Sequence, residues 1–380
     1  MEVKFIAFAD RRFARLALVE LRRLFADAEI KRVESGEPKV LFLVSTGKGI
    51  DPGQSKTLSY IDTLLPVFAL LKDIDAEYYV VAENIINALE FFGKESFRLE
   101  AKRFGYRTSD RAKDIEVKIG RAVESRGYKA DLKNPEIQVY VLLTASGAII
   151  GISNEPVDYV LDAFRHFNKA NLKHLNRSEF KLIQAIEYFG VDINKVKTSM
   201  DVGAAPGGWT HYLLECGIKV MAVDKAALDY AFLDFGRGLV VANDDEFETL
   251  AANITDKRIE VVNEGRFWKR QAKDIFNGYE FVHLRSNISD AGRVGELGLK
   301  FDLLTIDMNK GADEVAKIAA SLSELLHSKA ALIMTAKLPE KKPEEYISDI
   351  EAGIGAKFEG IRYKKLPHNR EEFTVYATCK

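Results

Sequence analysis

The chain has 380 residues, a formal net charge of −2, 47% apolar and 29% charged residues. That is the balance of a globular protein with room for more than one domain, and it excludes a molecule that draws nucleic acid by bulk charge; any such binding must come from local patches. No run of about eighteen uncharged apolar residues occurs, so no membrane-spanning helix is expected.

The opening MEVKFIAFADRRF breaks its short apolar run with Asp10 and two arginines and does not read as a signal peptide. Cys216 and Cys379 have no ligand spacing, so reduced thiols, a cytoplasmic location and no metal site are expected. Residues 1–90 read as a small α/β module. It should hold a strand over 3–9, a helix over 12–25 from the spacing of Phe13, Leu16, Ala17, Leu21 and Leu24, and a strand over 39–44. The segment STGKGIDPGQSK misses the spacing of a phosphate loop, because Gln54 and Ser55 follow Gly53, and reads as a solvated turn. Helices over 58–69 and 84–92, with a strand over 77–81 between them, complete the module.

Residues 91–155 should form a second unit: a strand over 96–102, a polar connection over 103–111, and an amphipathic helix over 112–124 with Ile115, Ile119 and Val123 inward. A turn over 131–135 and strands over 136–143 and 148–153 follow. Lys102, Arg103, Arg107, Arg111 and Lys133 belong to an excess of cations, with Phe104 and Tyr106 among the first of them. Such a strip can neutralise phosphates and stack on bases; a solvated face of mixed charge is the plainer alternative. The pieces F-R-L-E-A-K-R, D-I-E-x-x-I-G and A-D-L-K-N-P resemble a THUMP domain, and the resemblance implies binding of structured RNA.

Residues 156–178 form a basic, aromatic-bearing connector that includes Phe164, Arg165, Phe167 and Lys173. Ser178 fits the N-cap of a helix over 179–189 that Gly190 stops. Lys181 lies in the first turn of that helix, where the dipole disfavours a cation. Two readings stand side by side for this segment, a role for the amine and a snorkelling surface lysine.

The stretch MDVGAAPGGWTHYLLECGIKVMAVD, residues 200–224, reads as strand, glycine loop, helix, strand and acid, which is half of a nucleotide-binding α/β unit. Gly203, Gly207 and Gly208 should let a ligand approach the backbone, and Asp224 should accept from both hydroxyls of a ribose. Asp201, just ahead of a loop that lacks G-x-G-x-x-G, suits a cationic group better than a phosphate. S-adenosylmethionine (SAM) is therefore favoured over a dinucleotide or a purely structural turn.

Beyond it, a polar helical stretch is expected over 253–278, strands over 281–284 and 301–306, and a loop or short helix over 289–300. A helix over 315–327, a strand over 330–335 and a helix over 343–354 follow. Two last strands, 357–364 and 372–378, are joined so briefly that they must form an antiparallel hairpin. In a doubly wound sheet ligand groups lie beyond the carboxyl ends of the strands, so Asp224, Asn287, Asp307 and Lys337 should share one rim. The whole is expected to be α/β: a doubly wound, Rossmann-like C-terminal domain over 179–380 with a terminal hairpin, preceded by an α+β THUMP-like region.

The pieces R-S-E-F-K-L, D-V-G-A-A-P-G-G-W-T, A-V-D, H-L-R-S-N, D-M-N, A-K-L-P and R-E-E-F-T-V-Y-A resemble the FtsJ-type ribose 2′-O-methyltransferases over roughly 176–380. The resemblance implies SAM as cofactor and methyl transfer to a ribose 2′-hydroxyl of structured RNA, with large-subunit ribosomal RNA ahead of tRNA. It also implies a Lys-Asp-Lys-Glu tetrad at Lys181, Asp307, Lys337 and Glu372. Lys337 would take or steer the proton, Lys181 and Asp307 would orient it, and Glu372 would hold the far side. The expected cofactor residues are Ser178, Asp201, Gly203, Ala205, Pro206, Gly207, Gly208, Trp209, Asp224, Asn287 and Asp307. Two departures stand out: Asn287 occupies the place of an adenine-binding acid, and the segment 289–300 is long. The rival readings are a base N-methyltransferase, an RNA-binding protein with a silent SAM fold, and an NAD-dependent oxidoreductase. The first is disfavoured because D-M-N-K stands where [N/D]-P-P-[Y/F] would, and the last by the loop sequence.

Overall fold

The computed structural model describes residues 3–33, 39–47, 58–153, 177–287, 291–337, 343–366, 368–369 and 371–380. The chain divides into two compact units, Met1–Asp162 and Ala163–Lys380.

The first unit runs β1 (Val3–Asp10), α1 (Ala14–Leu24), β2 (Glu29–Val33), β3 (Lys39–Thr46), β4 (Thr63–Leu71), α2 (Tyr79–Phe92) and β5 (Ser96–Phe104). It continues through α3 (Ala112–Glu124), β6 (Lys129–Ala130), β7 (Ile137–Thr144) and β8 (Gly147–Ser153). The strands make one eight-stranded sheet in the order β2-β3-β1-β4-β8-β7-β5-β6. Two expectations fail here. The helix expected over 58–69 is largely strand β4, antiparallel to β1 on one side and β8 on the other. TLLPVFALL is a continuous apolar run, which periodicity alone cannot assign, and Pro66 weighs against a helix interior. The strand expected over 77–81 is instead the start of α2. The Asp75 carboxylate accepts from the backbone N–H of Glu77, Tyr79 and Val80 at 2.9–3.0 Å and so satisfies donors that a helix start leaves open. The sheet runs unbroken past residue 90, and α2 packs with α3 and β5–β8 in one core built on Ile85, Leu89, Ile115, Ile119 and Val141.

The second unit opens with α4 (Arg177–Phe189), β9 (Thr198–Val202), α5 (Gly208–Glu215), β10 (Lys219–Val223), β11 (Gly238–Ala242) and α6 (Asp244–Asn253). Next come β12 (Ile259–Asn263), α7 (Glu264–Phe267), α8 (Ala272–Gly278), β13 (Phe281–Leu284), β14 (Phe301–Ile306) and α9 (Ala312–Leu322). It closes with β15 (Leu326–Lys337), α10 (Pro343–Ile354), β16 (Phe358–Lys364) and β17 (Glu372–Cys379). Nine strands order as β12-β11-β13-β10-β9-β14-β15-β17-β16. Pairing is parallel from β12 to β15, and β17 is antiparallel to both β15 and β16. The expected Rossmann-like sheet with its late hairpin is therefore present. The strand order reverses between β9 and β14, which places the crevice of a doubly wound sheet at their carboxyl ends.

The helical stretch expected over 253–278 contains strand β12, and β11 was not anticipated; together they extend the sheet beyond β13. β12 is an edge strand of only five residues, IEVVN, of which Val262 alone is buried, too short to declare a period. The helix expected over 315–327 ends at Leu322, and His327 already belongs to β15.

Candidate active site

The glycine loop follows β9. Gly203 has φ +76°, and a Cβ there would lie 2.7 Å from Met308 Cγ and 2.8 Å from the Asp307 carbonyl oxygen. The space that a side chain would fill is taken by the chain after β14. What this glycine is seen to do is let the loop close against Asp307. Ala205 and Pro206 are joined by a cis peptide, and Gly207, at φ +116°, leads into α5 at Gly208.

Asp201 is buried. Its Oδ2 accepts from the Thr210 hydroxyl at 2.7 Å and its Oδ1 from the Thr305 hydroxyl at 2.9 Å. Burial pushes its pKa up to about 6. It braces β9 against α5 and β14, rather than standing open before a ligand as expected. Asp224, by contrast, is half-exposed; Oδ2 accepts from Ala205 N at 3.0 Å and Oδ1 from Ala226 N at 2.9 Å. Behind it lies a residue that sequence reasoning missed. His283 Nε2 is 3.1 Å from the Asp224 carbonyl oxygen and Nδ1 is 2.7 Å from the Tyr230 hydroxyl. A carbonyl can only accept, so Nε2 carries the proton and the tyrosine donates to Nδ1. Burial pushes the His283 pKa down to about 3 and that of Tyr230 up to about 12. The only signal in the sequence is a histidine inside the apolar run F-V-H-L. Asn287 stands exposed just past β13, the neighbour of β10.

On the other side of the loop, three members of the expected tetrad meet. Lys181 Nζ is 3.4 Å from each Asp307 oxygen and 2.6 Å from Glu372 Oε1. Their side chains are 17%, 19% and 12% exposed, so the attraction between them is screened less than at an open surface. The expected N-cap role of Ser178 is corrected: α4 already includes Arg177, and the Ser178 hydroxyl donates to Asp307 Oδ2 at 2.5 Å. Thr335, not anticipated, donates to Asp307 Oδ1 at 2.6 Å. The Trp209 indole N–H donates to the Ser178 carbonyl at 2.8 Å.

Lys337 closes β15 in direct register with Glu372 on β17, two residues after Thr335. Residues opposed across an antiparallel pair share a face, as do residues two apart along a strand. Lys337 therefore lies on the face that carries Thr335 and Glu372. It is exposed, and among the described residues its ammonium has no partner. Leu338 and Pro339 of the expected K-L-P lie outside the described residues. Where α4 meets α5, His211 has Nδ1 3.3 Å from Glu179 and Nε2 3.7 Å from Glu215, and the Glu179 hydrogen bond pushes its pKa up. Each ring nitrogen faces its own carboxylate, which is the arrangement of an imidazolium between two acids.

In the first unit the expected RNA-binding cations separate into two places. Lys102, Arg103, Arg107 and Arg111 occupy the carboxyl end of β5 and the connection after it. Lys102 pairs with Glu100 at 2.9 Å, Arg103 donates to the Asp110 carbonyl at 3.1 Å, and Arg111 pairs with Asp114 at 2.9 Å. Lys133 sits at the other end, in a turn that Asp131 closes by accepting from Lys133 N and Asn134 N, and Asp131 N in turn donates to Phe97 O near the start of β5. At ~3.3 Å per residue, residues 97 and 103 are about 20 Å apart. The rings expected to interleave with these cations face inward: Phe104 is buried against Phe8, and Tyr106 packs on the core. The connector up to residue 176 lies outside the described residues.

Residues 175–342 match the profile of the FtsJ-like methyltransferases. Ribosomal RNA large subunit methyltransferase M of Laribacter hongkongensis is 30% identical over 221 residues, covering 53% of this chain and 47% of the relative. The protein of the same name from Escherichia coli is 27% identical over 187 residues, covering 47% and 38%. The chain spans about half the length of the curated relatives it matches. Among solved structures, TrmN from Thermus thermophilus aligns over 100% of this chain and 99% of its own at 16% identity and a TM-score of 0.38. Glycine loop, rim acids and profile match coincide on one segment: residues 175–342 are similar to the FtsJ-like methyltransferases, and the chain shows distant similarity to the ribosomal RNA large subunit methyltransferases M.

Proposed function

We propose that this chain uses SAM to methylate a ribose 2′-hydroxyl of structured RNA, with large-subunit ribosomal RNA as the preferred class. The observation that carries the reading is the meeting of Lys181, Asp307 and Glu372 on one face of the sheet, with Lys337 in register beside Glu372. SAM suits the residues present. Asp224 is bonded to Ala205 of the glycine loop, and Asp307 is packed against its Gly203. Such a donor set favours a ligand with positive charge and no phosphate. Each Asp224 oxygen keeps a second lone pair for a ribose hydroxyl. Ala205, Pro206, Gly207, Gly208 and Trp209 would line the loop side, and the Asn287 amide would meet the adenine edge.

When bound, SAM supplies a methyl group already activated by its sulfonium. The chain must then hold the accepting oxygen in line and receive its proton. Lys181 is committed to two carboxylates, which suits it to fixing the geometry. Lys337, on the same face and without a carboxylate partner among the described residues, is the amine available to the hydroxyl. In the first unit, the THUMP-like segment 91–155 with Lys102, Arg103, Arg107 and Arg111 would meet the RNA backbone, and Lys133 would make a separate contact. An RNA substrate implies a cytoplasmic enzyme. To test the reading, the chain is incubated with labelled SAM and total RNA and the product digested to nucleosides. A labelled 2′-O-methylnucleoside is expected; a base-methylated nucleoside overturns the ribose assignment.

A further inference from the structure

We infer that Ser178 and Thr335 are positioning residues of the transfer centre, whose hydroxyls clamp the Asp307 carboxylate from a helix on one side and a strand on the other. This deepens the reading above and rests on it. Asp307 follows β14 and could rotate about its side-chain bond. Each of its oxygens is instead taken by a different hydroxyl, Oδ2 by Ser178 at 2.5 Å and Oδ1 by Thr335 at 2.6 Å. These are lengths of charge-assisted O–H···O⁻ bonds. The two contacts to Lys181, at 3.4 Å each, are longer and equal. The lysine's short contact is with Glu372. The carboxylate plane is therefore set by the hydroxyls, and the lysine lies across it.

Thr335 interrupts the apolar run Leu332, Ile333, Met334 and is 2% exposed. A valine of the same shape would fill that place without burying a hydroxyl, which costs free energy unless bonded. The bond to Asp307 accounts for the threonine. Ser178 is itself anchored, because its carbonyl accepts the indole N–H of Trp209 from α5. The helix after the cofactor loop is thus joined to the candidate catalytic acid through one serine. Lys181 lies three residues further along α4, about one turn on and hence on the same side as Ser178.

The test uses the full chain, SAM and an unmodified large-subunit rRNA transcript. Thr335→Val is expected to lower kcat about tenfold or more while the SAM Kd, measured by calorimetry, stays within about twofold. Thr335→Ser should restore most of the loss, and Ser178→Ala should act in the same direction. If Thr335→Val melts far below the parent, Ser178→Ala and Thr335→Ser carry the comparison. Unchanged kcat in the hydroxyl-lacking variants overturns the clamp. A loss of SAM affinity that matches the loss of kcat/KM also overturns it, by moving the hydroxyls into the cofactor pocket. A parent that methylates no ribose defeats the reading beneath. The clamp is then judged from the crystal structure of Thr335→Val: Asp307 should turn away from Lys181, and an unmoved Asp307 overturns the inference.

Discussion

Asp224 and Asp307 stand on either side of the glycine loop and are held by different means. The Asp224 carboxylate is fixed by main chain, accepting from Ala205 N and Ala226 N, while its carbonyl accepts a hydrogen bond from Nε2–H of a buried, neutral His283. Asp307 is fixed by side chains drawn from far along the sequence, Ser178, Lys181 and Thr335. Backbone donors near in sequence make a holder that tolerates substitution around it. Side-chain donors make one that single substitutions can dismantle. On the proposed reading, the cofactor side should therefore be robust and the transfer side brittle.

Lys337→Ala probes that contrast most severely. It should lower single-turnover methyl transfer by about a thousandfold or more, the scale of a lost proton acceptor, while SAM affinity by calorimetry is nearly unchanged. Equal losses of both would remove Lys337 from the transfer step. Glu372→Gln keeps the shape but removes the charge 2.6 Å from Lys181. A fall in kcat of about a hundredfold is expected, again with SAM affinity preserved.

On the cofactor side the effects should be smaller and partly in stability. His283 has its pKa lowered to about 3 in the folded chain, against about 6.5 when unfolded. The unfolded state thus binds the extra proton first, and the contribution of this residue to stability should be lost as pH falls from about 6.5 towards 3, by about 2 kcal/mol on reaching pH 5. Asp201, with its pKa raised to about 6, gains stability over the same fall in pH and offsets part of this loss. The readout is therefore the difference between parent and His283→Gln in urea-derived stability, which should shift by that amount between about pH 7 and 5; an unchanging difference would contradict the neutral, buried assignment. Tyr230→Phe removes one hydrogen bond from the chain behind Asp224 and should weaken SAM binding only about threefold, with kcat at saturation unaltered. A larger loss in kcat than in affinity would blur the distinction between the two sides.

What could be read from the sequence follows the same division. Strand, glycine loop, helix, strand and acid succeed one another within residues 200–224, and each piece lies where local pattern put it. The terminal hairpin was equally plain, because residues 365–371 leave room for nothing else. The hydroxyls were not visible: Ser178 lies 129 positions from Asp307, and a serine before a helix looks like a cap. Thr335 looked like one more strand residue. β4 and β12 were missed because an unbroken apolar run and a short edge strand carry no decisive period. Phe104 and Tyr106 show the converse: spacing placed them beside cations but says nothing of which way a ring turns, and both turn inward.

Gly203 ties these two sides into one mechanical part. A Cβ at that position would stand 2.8 Å from the Asp307 carbonyl, where ordinary contact begins at 3.4 Å. Any residue with a side chain would have to push the backbone of the acid outward by about half an ångström, which is the margin within which a catalytic group must be kept. On the proposed reading, the bare hydrogen at 203 sets the spacing of the acid as well as the turn of the loop, and a side chain there, at φ +76°, would strain both together.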